Sequence, residues 1–265
     1  MCGGCYTAKY CTDLCQRGHW SEHKPVCKTL GAARESAVTS LARAAQDGDL
    51  AAATKLLETG NVNKALADGR TALLMAVQGG HLALVAALLD AGAKVNRTIV
   101  VQGMDRSTTP LILAAGNGHL AVENALLEAG AEIDNALETR YAPLYVAAQN
   151  GHEAVVKVLL EAGADANKAD HDGFTPLRVA TQNGHEAVVK VLLEAGADAN
   201  KASTDGFTPL QLAVHHGHLA VVEALLEAGV DAKVMRDDGS TALSIAMRRG
   251  KAAIVAALQR HERSG

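Results

Sequence analysis

The chain is poor in aromatic residues: Phe, Tyr and Trp together make up 3% of its 265 positions, with two Phe and one Trp. A core built from it must therefore be Ala, Val and Leu, and a hydrophobic content of 48% is enough to supply one. Cysteine is absent after Cys27, and the five present, Cys2, Cys5, Cys11, Cys15 and Cys27, crowd the start of the chain. A disulfide framework spreads its cysteines through a secreted fold, so this distribution excludes one. It points instead to an intracellular protein, cytoplasmic or nuclear, with one metal-binding segment. No apolar run is long enough for a membrane-spanning helix, and the N-terminus has neither the basic start nor the apolar stretch of a secretory signal. Blocks of like charge are also missing, and a formal net charge of −4 argues against a nucleic-acid surface, which needs clustered Lys and Arg.

What the chain does have is repetition. Thr109-Pro110-Leu111 recurs as Ala142-Pro143-Leu144, Thr175-Pro176-Leu177, Thr208-Pro209-Leu210 and Thr241-Ala242-Leu243, 33 residues apart each time, and Thr71-Ala72-Leu73 lies 38 residues before the first of them. Gln149 to Ala169 is identical to Gln182 to Ala202 over 21 residues, which only tandem duplication explains. Each unit reads alike. Thr175 is an N-cap and Pro176 occupies the first helical position, where its missing N–H costs nothing. A short helix runs to Asn183-Gly184. A second follows from His185 to about Ala195, with Val188, Val189, Leu192 and Leu193 as its buried stripe and Glu186, Lys190 and Glu194 on the opposite face. Gly196 ends it as a left-handed cap, and a turn-rich link through Asp205-Gly206 leads to the next unit. One such helix pair cannot bury both of its faces; stacked copies can, with Ala147, Ala180, Ala213 and Ala246 allowing close approach.

These T-P-L-x-x-A, G-H and L-L-x-x-G-A elements resemble the ankyrin repeat, over residues 37 to 262 and about seven units. The fold expected is mainly α: an ankyrin-repeat solenoid of helix-turn-helix units with hairpin loops, preceded by a small zinc-stabilised module. A linker at 28–36 and a short tail at 263–265 complete the chain. The first unit starts directly with helix, and the last carries Arg248, Arg249, Lys251 and Arg260 as a polar end cap. The family's usual His after T-P-L is replaced by Leu74, Ile112, Tyr145, Arg178, Gln211 and Ser244, so its hydrogen bond is expected to be absent. The fourth unit has Arg140 and Ala142 where the others mostly have Gly and Thr, which makes it the expected weak point in the middle of the stack. His81, His119, His152, His185 and His218 recur at the inter-helix turn and read as structural. His215 and His216 are adjacent on a helix, a poor geometry for metal.

The first 27 residues place Cys2-x2-Cys5, Cys11-x3-Cys15 and His23-x3-Cys27 at turn spacings, the ligand types tetrahedral zinc requires. So short a segment has no core of its own, and metal binding must supply its folding energy, roughly 10–16 kcal/mol. Tyr10-Cys11, Cys15-Gln16, His19-Trp20 and His23-Lys24 through Cys27 resemble a MYND-type zinc finger. That resemblance implies two interleaved structural zinc sites. Cys2, Cys5, His23 and Cys27 would complete one. Cys11 and Cys15 would belong to the other, which lacks two ligands here unless His19 contributes. The missing upstream Cys pair leaves three explanations open: a misplaced start, a shortened chain, or a module with a single zinc. In the family, the residues matching Gln16 and Trp20 grip proline-containing peptides; the alternative is that Trp20 simply covers the zinc cluster.

On the repeats, Phe174 and Phe207 stand just before the Thr of T-P-L, at the hairpin tip, and Tyr141 holds the same place in the fourth unit. Exposed aromatics at one-repeat spacing are expected to form a docking edge. The resemblance adds the first-helix ends, Gln149, Asn150, Gln182, Asn183, His215, His216, Arg248 and Arg249, as the concave partner-binding face. Duplication of one repeat would also account for the two Phe without a ligand. The hairpin near Asn96 to Thr108 is lengthened. No nucleophile–base pair, phosphate-binding Gly loop or open metal site is present, so no catalysis is expected. The sequence reads as a monomeric interaction scaffold in which the repeats hold one protein and the finger a second protein or peptide. A non-catalytic targeting subunit of a ubiquitin-ligase or methyltransferase complex is the alternative.

Overall fold

The computed structural model describes residues 40–58, 60–100, 107–134, 141–170 and 172–264. The six cysteine and histidine zinc ligands expected in the finger, together with Gln16, Trp20, the 28–36 linker and Arg140, lie outside the described residues. The chain divides between Lys94 and Val95 into two compact units. The first contains α1 (40–47), α2 (Leu50–Leu57), α3 (Ala72–Gln78) and α4 (Leu82–Asp90). The second opens with β1 (Ile99–Val100) and β2 (Ser107–Thr108), which pair antiparallel with Ile99 opposite Thr108. Five helix pairs follow: α5 (Pro110–Asn117) with α6 (Leu120–Glu128), α7 (Pro143–Asn150) with α8 (Glu153–Glu161), α9 (Pro176–Asn183) with α10 (Glu186–Glu194), α11 (Pro209–His216) with α12 (Leu219–Glu227), and α13 (Ala242–Arg248) with α14 (Ala252–Ser264). The mainly helical reading holds, and the lengthened hairpin is the β1–β2 ribbon.

The caps follow the sequence. The hydroxyls of Thr71, Thr109, Thr175, Thr208 and Thr241 accept the N–H three residues on, and Pro110, Pro143, Pro176 and Pro209 start their helices. Ala142 caps α7 with no side-chain bond. Val188, Val189 and Leu192 are buried, while Leu193 is only half-buried and marks the margin of the stripe. On the outer face Lys190 contacts Glu186 at 2.7 Å, and Glu194 acts on it only at longer range. Ala147, Ala180, Ala213 and Ala246 are fully buried where first helices meet.

Two polar devices tie each repeat to its neighbour within a unit. The rings of His81, His152, His185 and His218 place Nε2 3.0–3.2 Å from the carbonyls of Gln46, Gly116, Gln149 and Gln182 in the preceding repeat. These rings lie against the helix-ending glycines. A Cβ on Gly151 would sit 2.7 Å from the His185 ring, and one on Gly184 2.6 Å from the His218 ring. Both glycines also hold φ near +76°, so they are needed twice over. The second device is asparagine. Asn63, Asn96 and Asn167 each donate Nδ2 to a glycine carbonyl (Gly92, Gly130, Gly196) and accept with Oδ1 from the N–H two residues further on (Lys94, Glu132, Asp198). Asp134 replaces asparagine in this series. Its Oδ2 accepts from Asp165, but a carboxylate has no proton for the second bond, and Oδ1 is buried with no hydrogen-bond partner.

The core carries one stronger violation. Glu123 occupies the stripe position held by Val156, Val189 and Val222 in the later repeats; it is 0% exposed, and neither carboxylate oxygen has a hydrogen-bond partner. Burial pushes its carboxyl up to about 8.

Two outcomes are expected. Restoring the cap with Ala142→Thr should stabilise the second unit by about 1 kcal/mol and slow amide exchange at the start of α7; unchanged exchange there would remove the cap as the weak point. Glu123→Val should raise the melting temperature with a pH signature. The folded chain keeps a proton on Glu123 that the unfolded chain releases above the ordinary value of 4.5. Wild-type stability therefore falls as pH rises from 4.5 to about 8. The gain from Glu123→Val should grow across that window and reach a few kcal/mol, roughly, by its upper end; melting curves at several pH values read it directly.

Candidate functional site

The hairpin tips and first helices of the second unit bring together most of the residues singled out for docking. Each tip is a tight turn closed by a backbone bond: Gly173 donates to Asp170, Gly206 to Ser203 and Gly239 to Arg236. The first two turns hold Phe174 and Phe207 at the foot of the next first helix, and Ser240 follows the third. Tyr141, Phe174 and Phe207 are half-buried rather than standing free, and each has a cover of its own. Tyr141 stacks on Tyr145 with ring centroids 4.8 Å apart. The Arg178 guanidinium lies 3.7 Å over the centroid of Phe174, and that of Arg236 lies 3.8 Å over Phe207. The aromatics thus pack on cations and on a tyrosine one turn away, not on one another.

The position of the missing family histidine is occupied by groups that do bond onward. Arg178 is 8% exposed; it donates to Gln182 Oε1 at 3.0 Å and to Asp205 Oδ2 at 2.7 Å on the next hairpin. Gln211 closes a capping box with Thr208 and donates to the Val234 carbonyl at 2.8 Å. Partial burial works against the charge of Asp205, but Ser203, the Phe207 N–H and Arg178 outweigh it and hold the carboxyl below the ordinary range. Burial, then the Asp170 carboxylate, holds Tyr145 well above the ordinary phenol range. Although no histidine stands here, Arg178 and Gln211 reach from this position to the next hairpin through bonds of their own.

The first-helix ends divide into two kinds. Asn150 and Asn183 are exposed, yet their amides donate to the Gly116 and Gln149 carbonyls of the preceding repeat, at 3.0 and 2.8 Å. Gln149 presents its side chain to solvent, and Gln182 is held by Arg178. His215 touches Phe207 edge-on at 5.3 Å and receives a bond from Arg249 at 2.7 Å. The rings of His215 and His216 approach to 5.2 Å although they are consecutive, and His216 stacks on His218 at 6.0 Å. Burial first, then the cations around them, depresses both imidazoles, so His215 and His216 lose their charge more readily than free histidine. Among the described residues no cluster of His, Cys, Asp and Glu is arranged to hold a metal. Arg178 and Arg236 were not singled out as site residues in the sequence. The four-residue step that places Tyr145 after Tyr141 also places Arg178 after Phe174, and was the available signal.

Ankyrin-repeat models match residues 41–137, 134–203 and 196–264. The chain belongs to the ankyrin-repeat family. A MYND finger model matches residues 1–27, so the ankyrin repeats follow a zinc-binding finger. The human ASB11 ankyrin repeat domain has a similar structure, with a TM-score of 0.73 and 30% sequence identity over 82% of this chain and 96% of that one. Ankyrin repeats and MYND fingers are both protein-interaction modules, and no helix among the described residues is long and apolar enough to cross a membrane. The Cys and His residues of the finger are donor types that suit zinc.

Arg178→Ala should destabilise the second unit by about 1–3 kcal/mol, since it uncovers Phe174 and leaves Asp205 without its cation. Chemical denaturation measures this; a change within error would show that the guanidinium only decorates the surface.

Proposed function

We propose that this ankyrin-repeat chain is a non-catalytic adaptor with two docking sites. One is the hairpin and first-helix face of the repeats, the concave face of the family; the other is the N-terminal finger. The row of Tyr141, Phe174 and Phe207, held half-exposed at one-repeat spacing, carries the first assignment. Aromatics pinned in place lose little entropy when a partner covers them, which favours their use as anchors. Gln149, Asn150, Gln182, Asn183, His215 and His216 extend that row along the helix ends. In the finger, Gln16 and Trp20 are assigned to a proline-containing peptide. Cys2, Cys5, His23 and Cys27 are assigned to one structural zinc, and Cys11 and Cys15 to a second site short of two ligands. The zinc has a folding role only, since four protein ligands leave no position for a reacting water. The protein acts inside the cell, as a monomer, on protein partners.

The test uses the intact chain, loaded with zinc, as bait in cell extract, beside Trp20→Ala and a double variant, Phe174→Ala with Phe207→Ala. Partners lost by one variant and retained by the other are the expected result, with melting curves confirming that both variants remain folded. Identical retention by all three proteins would remove both docking assignments. Retention of nothing specific would remove the adaptor reading itself.

A further inference from the structure

The first-helix ends of the second unit change character along the chain. The same two positions are Gln149-Asn150, Gln182-Asn183, His215-His216 and Arg248-Arg249 in successive repeats. Neutral amides thus give way to imidazoles and then to guanidiniums. In the amide repeats the second residue is occupied, donating to a carbonyl of the repeat before. In the last repeat Arg249 instead donates to His215 Nε2 at 2.7 Å, an acceptor only in the neutral ring, so two potential cations are held side by side. Arg248 and Arg249 are exposed, and neither has a carboxylate within ion-pair distance among the described residues. Of the acids on the adjoining hairpins, Asp205 pairs with Arg178 and Asp238 with Arg236 at 3.4 Å; Asp238 also feels the Arg248 charge at longer range, and Asp237 is exposed. The last turn of α13 thus presents two exposed guanidiniums with no carboxylate in direct contact beside the His215–Phe207 contact, on a chain whose net charge is −4.

A second feature identifies the class of partner. The most exposed large hydrophobic residues among those described are Met235, at 69%, and Met247, at 53%. Each directly precedes an arginine of the same repeat, Arg236 and Arg248. A phosphate backbone satisfies the guanidiniums but leaves the methionines in water, whereas a peptide supplies carboxylates and apolar side chains together. We infer that the helix ends of the last two repeats, centred on Arg248 and Arg249, form a docking site for an acidic peptide segment of a partner protein. This rests on the reading of the repeat face as a docking face and gives the partner there its chemistry.

The experiment measures fluorescence anisotropy of a labelled peptide of alternating Glu and Leu with the intact zinc-loaded chain. The competitors are an unlabelled peptide of alternating Lys and Leu and a single-stranded oligonucleotide of matched charge. The acidic peptide should bind, weaken steeply with added salt, and lose roughly tenfold in affinity with Arg248→Gln and Arg249→Gln together. Both substituted residues are exposed, and an unchanged melting curve shows that the fold is kept. The inference is overturned by no binding, by binding that the double variant leaves unchanged, or by an oligonucleotide that competes as well as the acidic peptide. If it fails while extract partners are still lost with Phe174 and Phe207, only the acidic assignment falls. If those partners are also absent, the docking-face reading falls with it.

Discussion

The inner first helices of the second unit, α7, α9 and α11, each pack between two others. Of the eight residues of α9, six are buried, from Pro176 through Thr181, and helices this short are marginal alone. The apolar surface of one repeat is therefore stable only when the adjacent repeat covers it, and the interface between repeats carries the fold. The interface is apolar in bulk but positioned by a few polar contacts. His81, His152, His185 and His218 each span to a carbonyl of the preceding repeat, and the rings of His185 and His218 pack on glycines whose positive φ and close approach leave no room for a Cβ. Asn63, Asn96 and Asn167 at the hairpin bases each bind an N–H and a C=O of the following repeat. Together these fix the offset of each repeat on the next, which the Leu and Val stripe alone would leave free to slide.

The same constraint decides which polar substitutions inside the stack are tolerated. Gln211 is 1% exposed and costs little, because its amide serves both its own cap and the next hairpin. Asp134 keeps half of the asparagine's role and strands its other oxygen. Glu123 keeps none; its carboxyl stays protonated into the neutral range because burial leaves the charged form nothing to bond. Thr181 repeats this on a smaller scale, with its hydroxyl buried and unpartnered where Ala148 and Val214 stand in the flanking repeats.

The repeat fold was legible because its signals are local and recur. Thr-Pro starts, Gly stops and a four-residue apolar stripe each name an element without reference to anything distant. The proposed docking face was legible only in part. Position along the repeat placed Tyr141, Phe174 and Phe207 on one edge, but their exposure depends on Tyr145, Arg178 and Arg236. Arg236 comes from the hairpin 29 residues beyond Phe207, a distance that periodicity does not bridge. The same limit applies to the histidine position. Reading its replacement as the loss of a bond was reasonable one residue at a time, yet Arg178 and Gln211 recover a bond through different atoms to different acceptors.

Duplication separates the parts of a repeat that hold the stack from the parts that face outward. Gln149 to Ala169 and Gln182 to Ala202 are unchanged copies that contain the second helix, its glycine cap and the asparagine at the hairpin base. The differences between these repeats gather in the hairpin tip and the first helix, where Tyr145 stands against Arg178, and Tyr141 against Phe174. The second helix and hairpin base are constrained by the neighbour they must match, so a copy works unaltered. The tip and first helix vary on both sides: buried Tyr145, Arg178 and Gln211 differ from repeat to repeat, with Arg178 and Gln211 each bonding to its own acceptor on the next hairpin, so a change there must be matched across the interface. The exposed helix ends carry no such requirement, and the guanidiniums of the last repeat can stand there without disturbing the buried stripe.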